Sequence, residues 1–298
     1  MGRTLGLFLR TLDNDYQQRL KEVALREAKA RGFEILVESA QLDVSRQVAQ
    51  IRAAITNAST SDLAAILVSC VKDETLPPLI HEAAQAGLEW GLLNEGAFVD
   101  NVRGQHPNRA IFAVTPDQAE IGHIHGQQIR ALLGSAGRVL CVTGPLHNIS
   151  AQRRLDGLIE SLDGKFQLVE LNADWTSECA RMAVQRWAAT LPASEEMPGM
   201  FVAHNDEMAL GVRQALRDID SQRGLALATA PITGCDGSRT FGQRLVRERR
   251  LKATVIMPPA SGVAIERIAR MRATGEIPPA RVFLPVASYP DLPNLNSR

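Results

Sequence analysis

Short apolar runs alternate with amphipathic stretches along almost the whole chain, and this alternation predicts its secondary structure. Residues 63–68 form a nearly continuous apolar run of strand length, typical of a strand that helices cover on both faces. Residues 45–58 instead place Val48, Ile51 and Ile55 at helical spacing. The pattern predicts strands at 4–9, 33–37, 63–68, 88–93, 111–114, 138–143, 167–172, 199–203, 232–235, 253–256 and 282–286. It predicts a first helix that ends near residue 30, and further helices at 45–58, 76–86, 116–133, 150–162, 176–190, 206–219, 238–248 and 260–273.

Strands that alternate with helices in this way form parallel sheets with helices on both faces. The alternation is interrupted at residues 96–109, which are polar, contain Gly104 and Pro107 and show no helical period. We interpret that segment as a surface excursion without regular structure. We therefore expect an α/β protein with two lobes, each built on its own doubly wound sheet.

Composition narrows the class of protein but does not identify it. The chain has 298 residues, which suits two domains, and it carries 33 basic and 33 acidic side chains. No overall basic field exists to attract nucleic acid. No apolar run reaches the roughly 18 residues that a membrane span requires. The four cysteines are scattered without a CxxC pair, so we expect neither a metal nor a redox site.

Polar side chains recur just after predicted strands, where open α/β sheets place their ligands. They are Asp13, Asn14, Asn94, Glu95, His147, Asn148, Asn205 and Asp236. Any one of them alone is explained as a helix cap. Their recurrence in both halves of the chain favours a shared ligand site, because Asn and Asp offer two-pronged edges suited to vicinal hydroxyls.

Two aromatic residues follow strands in the same way. Tyr16 comes after the first turn, and Trp175 lies in the loop after the strand at 167–172. Aromatic faces pack against the C–H faces of sugars, although core packing is the alternative. For Trp175 we favour a functional role.

Sequence signals of a catalytic or metal site are weak. His123 and His125 lie two apart in a predicted helix and therefore point to different faces, which makes a poor metal pair. The chain has no GxSxG elbow, phosphate loop or dinucleotide GxGxxG motif, and we expect no cofactor.

The basic cluster of Arg244, Arg247, Arg249 and Arg250 could bind anions, but a solvated helix face is the favoured interpretation.

Several segments resemble one family, the ribose-type sugar-binding proteins of transporters and the related effector domains of lactose-repressor-type regulators. The segment FVAHNDEMALG (201–211) resembles that family's strand, Asn-Asp and helix signature, and TGCDGS (233–238) resembles its glycine-flanked aspartate motif. Weaker similarities are TLDNDYQQ (11–18), GPLHNISAQRRLDGL (144–158) and LKATVIMPP (251–259).

The resemblance implies the type I periplasmic binding protein fold, with two lobes, three hinge crossings and ligand clamped in a cleft between them. The crossings would fall near 114–116, 257–259 and 284–286. The implied N-terminal lobe is 1–114 plus 258–285, and the C-terminal lobe is 115–257 plus 286–298. Ligand roles carry over to Asn14, Tyr16, Trp175, Asn205 and Asp236.

The chain departs from the family pattern at four ligand positions. Asn94 and Glu95 replace a frequent Asp-Arg pair, Gln152 replaces a ligand arginine, and Met257 replaces a common glutamine. The site thus loses two cationic donors and has acids at Glu95 and Asp236. We expect a neutral polyol, an unusual sugar or a cationic ligand in preference to sugar acids and sugar phosphates.

The favoured function is a non-catalytic solute-binding protein that captures a sugar, polyol or cyclitol by hinge closure. We expect a monomer that binds no nucleic acid and delivers its ligand to an ABC-type membrane permease or a sensor protein. The location would be periplasmic if a signal peptide was removed ahead of this sequence, and cytoplasmic if the sequence is complete.

Two alternatives belong to other classes of protein. The chain could be the effector domain of a lactose-repressor-type regulator, which would need a further helix-turn-helix ahead of the first strand. It could also be an enzyme on the same fold, in which Asp236 and either His204 or His147 act as an acid–base pair.

Overall fold

A computed structural model describes residues 3–93, 96, 98–162, 164–192, 195, 197–219, 227 and 229–295. The chain divides into two compact units. Unit 1 comprises Met1–Pro116 and Pro259–Leu284, and unit 2 comprises Asp117–Pro258 and Pro285–Arg298.

Each unit is built from alternating strands and helices. The strands are β1 (Thr4–Leu9), β2 (Glu34–Ser39), β3 (Leu63–Val68), β4 (Glu89–Leu92), β5 (Ile111–Pro116), β6 (Gly137–Thr143), β7 (Phe166–Asn172), β8 (Met200–Ala203), β9 (Ile232–Asp236), β10 (Ala253–Ile256), β11 (Arg281–Leu284) and β12 (Ala287–Tyr289). The helices are α1 (Asp15–Ala30), α2 (Val44–Thr56), α3 (Leu76–Gln85), α4 (Val99–Gln105), α5 (Gln118–Leu133), α6 (Ile149–Ser161), α7 (Ser177–Thr190), α8 (Asp206–Asp218), α9 (Gly242–Arg247) and α10 (Ser261–Thr274). Short 3-10 turns lie at Asp73–Thr75 and Leu292–Asn294.

Unit 1 contains a six-stranded parallel sheet in the order β11-β5-β4-β3-β1-β2. One face packs around Phe8, Ile66 and Trp90, and the other packs around Leu67 and Phe112. Burial on both faces explains the nearly continuous apolar sequence of the strands.

Unit 2 contains a six-stranded sheet in the order β12-β10-β9-β8-β6-β7, in which only β12 runs antiparallel among the described strands. Its two faces are covered by separate cores, one around Phe201 and Met208 and the other around Ile129 and Val202. The strand order reverses between β6 and β8, so the crevice for ligands of such sheets lies at the carboxyl ends of these two strands. The predicted class, α/β with two doubly wound sheets, is confirmed.

Helices α5 and α6 of unit 2 approach each other at backbone contact distance because both carry glycine at the crossing. A Cβ atom on Gly122 would lie 2.1 Å from the carbonyl oxygen of Arg154, and one on Gly157 would lie 2.2 Å from that of Ala119. The crossing sets the position of α6 relative to the sheet, and α6 carries Arg154 into the buried part of the unit.

Two short elements were not predicted, and the helix predicted at 238–248 spans only Gly242–Arg247. The segment 96–109 was expected to lack regular structure, but it contains α4, whose Val99 and Val102 are buried in the core of unit 1. The helix is too short to show a period, and burial of its apolar residues stabilises it. The antiparallel strand β12 was not predicted, because it is three residues long and forms by pairing with β10.

Candidate functional site

Asn205 stands at the junction of β8 and α8 in unit 2 and makes two hydrogen bonds with its side chain. Its Oδ1 accepts from the backbone N–H of Met208 at 2.7 Å, so it caps α8. Its Nδ2 donates to the backbone carbonyl of Trp175 at 2.9 Å. The helix-cap interpretation therefore holds for Asn205, and the same side chain also fixes the loop that carries the predicted stacking residue.

Trp175 is held in a strained backbone conformation with φ of 76°, which a residue with a bulky side chain rarely adopts. Its indole lies against Gly144, where a Cβ atom would come within 2.3 Å of the ring. The ring stacks on the imidazole of His204 at 6.4 Å between centroids, and the Arg154 guanidinium lies 5.5 Å from its centroid. The loop after β7 thus presents a fixed aromatic plane.

Asp236 is the last residue of β9 and is also buried in a strained conformation, with φ of 99°. The next residue, Gly237, has φ of 54° and lies so close to β10 that a Cβ atom would meet the Cα of Ile256 at 2.6 Å. This turn requires glycine, and it directs the chain away from the sheet directly after the carboxylate.

A second carboxylate, Asp206, supports that turn. It is fully buried and accepts hydrogen bonds from the Gly237 N–H at 2.9 Å and the Thr254 hydroxyl at 2.7 Å. An acid in the first turn of a helix is ordinary, because it interacts favourably with the helix dipole, and the sequence alone therefore gives no reason to single out Asp206. Its partners lie 31 and 48 residues away, and local pattern does not reveal them.

Arg154 is a buried cation whose donors are directed to groups within unit 2. Its Nε donates to Gln118 Oε1 at 2.6 Å, its Nη1 donates to the backbone carbonyl of His204, and its Nη2 lies 3.3 Å from the Met257 sulfur. The predicted ligand residue Met257 is itself buried and covers one edge of the guanidinium.

His204 is completely buried next to this arginine. Its pKa is well below the usual value because burial disfavours the charged ring and because Arg154 and His125 lie nearby. The Nδ1 atom accepts from the Gly144 N–H at 3.3 Å, which places the proton of the neutral ring on Nε2. Among the described residues Nε2 has no hydrogen-bond partner. His147, by contrast, is exposed in the turn before α6.

Gln152 lies exposed in the first turn of α6, where its amide donates to the carbonyl of Leu146 at 2.9 Å. Its side chain therefore contacts the exposed part of the loop between β6 and α6. Asn148 caps α6 by accepting from the Ala151 N–H at 3.1 Å.

In unit 1, Asn14 and Tyr16 lie where the chain leaves β1 and enters α1. Asn14 caps the helix by accepting from the Gln17 N–H at 2.9 Å, and Tyr16 packs partly against the core. Asn94 and Glu95, the other two predicted ligand residues of this unit, lie outside the described residues. Their place stays a prediction.

The sequence pattern did not reveal a cluster of polar side chains near the ends of β1 and β3. Gln17 donates to the Ser69 hydroxyl at 3.0 Å, and the Cys70 thiol donates to Asp73 at 2.6 Å. Arg10 follows β1, and burial lowers its pKa although Cys70 and Asp73 oppose that shift. These residues come from distant segments, and only sheet pairing brings them together.

His123 and His125 point to different sides of α5, as expected from their spacing. His123 contacts Glu120 and Glu160 at the surface, whereas His125 is completely buried and contacts Gln128. In the described ranges no three His, Cys, Asp or Glu side chains are grouped as a metal site would require. No helix in those ranges combines the length and the apolar character needed to cross a membrane.

A family profile described as "Periplasmic binding protein domain" matches residues 5–274. The chain belongs to this family. The resemblance recognised in the sequence is thereby confirmed.

Curated relatives and solved structures agree with that assignment. The chain is 26% identical over 257 residues to the ribose import binding protein of Bacillus subtilis, covering 86% of this chain and 76% of that protein. It is 27% identical over 213 residues to the xylitol-binding protein of Mycolicibacterium smegmatis, covering 70% of this chain. That match spans only 55% of the relative's length. A solute-binding protein of Bacillus halodurans, solved with bound myo-inositol, has the same fold at a TM-score of 0.81 and 20% identity, covering 99% of this chain and 96% of that one.

Proposed function

We propose that this periplasmic binding protein captures an uncharged carbohydrate-like ligand, a sugar, polyol or cyclitol, and releases it unchanged. One observation carries the proposal. Trp175 and Asp236, an aromatic plane and a carboxylate at strand ends of the same unit, are both non-glycine residues held at positive φ, 76° and 99°. Such strain persists where the surrounding structure enforces it, and it concentrates at ligand-binding positions.

Aromatic planes and carboxylates suit carbohydrates for separate reasons. The Trp175 ring offers apolar area to the C–H face of a sugar or polyol. A carboxylate such as Asp236 accepts two hydrogen bonds and can therefore receive vicinal hydroxyl groups. The curated relatives named for ribose and xylitol support this class of ligand.

The proposal of a neutral ligand rests on the contacts of Arg154 and on the uncharged residue at position 152. Arg154 directs its donors to Gln118, His204 and Met257, which are all part of the protein. Gln152 occupies the position where the family resemblance places a ligand arginine, and it carries no charge. The negative charge of the Asp236 carboxylate repels an anionic ligand, and this repulsion weakens binding.

We also propose that Asn14, Tyr16, Asn94 and Glu95 of unit 1 contact the same ligand, as the sequence resemblance implies, and that binding closes the hinge. The protein would then deliver its ligand outside the cytoplasm to an ABC-type importer or a sensor. The regulator alternative draws no support from the relatives above. For the enzyme alternative, His204 is already neutral but is held by Gly144 and stacked on Trp175, which favours a supporting role over proton transfer.

Calorimetric titration tests the ligand class. Ribose, xylitol and myo-inositol form the neutral panel, with gluconate and glucose 6-phosphate as anionic counterparts. We expect at least one neutral compound to bind without turnover, with the anionic ones at least about tenfold weaker. Trp175→Ala and Asp236→Asn should each weaken that binding, whereas Gln185→Ala, which removes only a contact with Asp218 at the C-terminal end of α8, should leave it unchanged. Tight binding of an anionic compound alone, or measurable conversion of the ligand, would contradict the proposal.

A further inference from the structure

Unit 2 contains a cavity at the end of its sheet opposite to Asn205 and Asp236. It has a volume of about 780 Å3 and lies beside the segments that lead into β9 and β10. Organic ligands occupy sites of roughly 300–1,000 Å3, so the cavity is larger than an inorganic ion requires. Its lining comes from α5, α8 and α9, from the segments before β9 and β10 and from the chain after β12.

The charge of this lining is one-sided. It contains the cations Arg213, Arg247, Arg249 and Lys252, and no acidic side chain among the residues that the structure describes. The remaining lining is mainly apolar, with Leu132, Leu251 and Leu295 among it. A cavity with one cationic side and one apolar side is complementary to a molecule that has an anionic group on an apolar body.

The basic cluster of the sequence separates into two parts in the structure. Arg244 and Arg250 lie within 3.8 and 4.0 Å of the Glu248 carboxylate. Arg247 and Arg249 instead line the cavity, and in the described part of the chain neither forms an ion pair. The interpretation as a solvated helix face therefore fits Arg244 better than it fits Arg247 and Arg249.

Backbone contacts fix the turn that carries Arg249 and hold the guanidinium of Arg213 in place. Arg249 has φ of 59° in the tight turn between α9 and β10, and its N–H donates to the Val246 carbonyl at 3.0 Å. Arg213 is largely buried, and its guanidinium donates to the carbonyls of Arg250 at 3.2 Å and Ala230 at 3.4 Å. Its pKa is lowered by burial and by the positive charges of Arg217 and Arg250, so the region is electropositive.

We propose that this cavity binds an organic anion, with its phosphate or carboxylate group against Arg247, Arg249 and Lys252 and its apolar body against Leu132 and Leu251. Guanidinium groups are suited to such oxyanions because their planar N–H groups match two oxygens at once. The site lies at the amino ends of β9 and β10, whereas the proposed carbohydrate residues lie at carboxyl ends. It is therefore independent of the proposed function.

Four probes separate the contributions of charge and apolar body: octyl phosphate, octanoate, inorganic phosphate and octanol. Each is titrated calorimetrically into the whole chain at low ionic strength, below the micelle concentration. We expect octyl phosphate or octanoate to bind with one-to-one stoichiometry and more tightly than either inorganic phosphate or octanol. Equal binding of octanol would overturn the role of the cations, and equal binding of inorganic phosphate would overturn the role of the apolar wall.

Substitutions locate the site. The double variant Arg247→Gln with Arg249→Gln should weaken binding of the tighter amphiphilic probe by roughly tenfold or more. Arg244→Gln, one turn earlier on the same helix, should leave it unchanged, as should Asp236→Asn. Both arginines of the double variant are exposed, so folding should be retained, which circular dichroism checks. Unchanged binding in the double variant, or equal weakening by Arg244→Gln, would overturn the proposal.

Discussion

The side-chain amide of Asn205 donates to the backbone carbonyl of Trp175 across 2.9 Å, while its oxygen caps α8. One side chain thus joins the start of a helix to the loop that presents the aromatic ring. The bond helps to hold Trp175 at its positive φ, which the free chain disfavours.

The two hydrogen bonds of Asn205 can be separated by substitution. Asn205→Asp keeps an oxygen for the cap but replaces the donor to Trp175 with a carboxylate oxygen, which repels that carbonyl. We expect weaker carbohydrate binding, and also a loss of stability of about 1–3 kcal/mol, because the new carboxylate is buried against a carbonyl oxygen. Asn205→Ala loses both bonds and should also lower the free energy of unfolding by about 1 kcal/mol. Calorimetric titration and urea unfolding measure the two effects, and unchanged affinity in Asn205→Asp would show that the bond to Trp175 does not support the site.

Asp206 should contribute strongly to the stability of unit 2. Asp206→Asn places an amide donor where the carboxylate accepts from Gly237 and Thr254, in a space with no room to adjust. We expect the free energy of unfolding to fall by about 1–3 kcal/mol. The matched control is Asp218→Asn, whose surface contact with Arg181 should matter by less than about 1 kcal/mol. Equal urea midpoints for the two variants would contradict the role assigned to Asp206.

The crossing of α5 and α6 predicts opposite effects for two glycine substitutions. Gly157→Ala would place a methyl group 2.2 Å from the Ala119 carbonyl, and this overpacking should cost about 1–3 kcal/mol or more. Gly104→Ala in α4 meets no atom within 4 Å and should be neutral or stabilising by up to about 1 kcal/mol. Thermal unfolding of both variants measures the difference, and a similar melting temperature for both would contradict the close crossing.

Buried histidines make the stability of unit 2 dependent on pH. Burial, with the positive charge of Arg154, lowers the pKa of His125 to about 3, and the pKa of His204 also lies well below 6.5. Between these values and 6.5 the unfolded chain binds protons that the folded unit does not. The free energy of unfolding should therefore decrease as pH falls below about 6.5, by up to about 1.4 kcal/mol per pH unit for each histidine.

A pair of variants on α5 tests this source of the pH dependence. His125→Gln should make the free energy of unfolding fall less steeply below pH 6.5, because the contribution of one histidine is removed. This change of slope is expected whatever the variant does to absolute stability. His123→Gln should leave that decline unchanged. Partial burial alone lowers the pKa of His123, but its hydrogen bonds with Glu120 and Glu160 raise the pKa overall. Titration of His123 therefore changes the free energy of unfolding above pH 6.5. An identical slope for wild type and His125→Gln, from urea unfolding at several pH values, would exclude His125 as the cause.

Local sequence pattern accounts for most of the fold. The strands of both sheets are apolar because helices cover both faces, and this property is visible in a short window of sequence. The pattern failed for α4 and β12, which are short and depend on burial of Val99 and Val102 and on pairing with β10. Asn205 and Asp236 could be singled out in the sequence because polar residues at the ends of apolar strands are a local feature, and their role in ligand binding stays a prediction.

The sequence by itself determined the alternation of strands and helices, the family signature at 201–211 and the polar residues at the strand ends. Only the tertiary structure decided how those polar groups are used. Asn205 caps a helix and holds Trp175, Asp206 supports the Gly237 turn, and Arg154 directs its donors inward to segments up to 103 residues away. The physical reason is that a hydrogen bond depends on distance in space, and sheet pairing and helix crossing bring together residues that are remote along the chain.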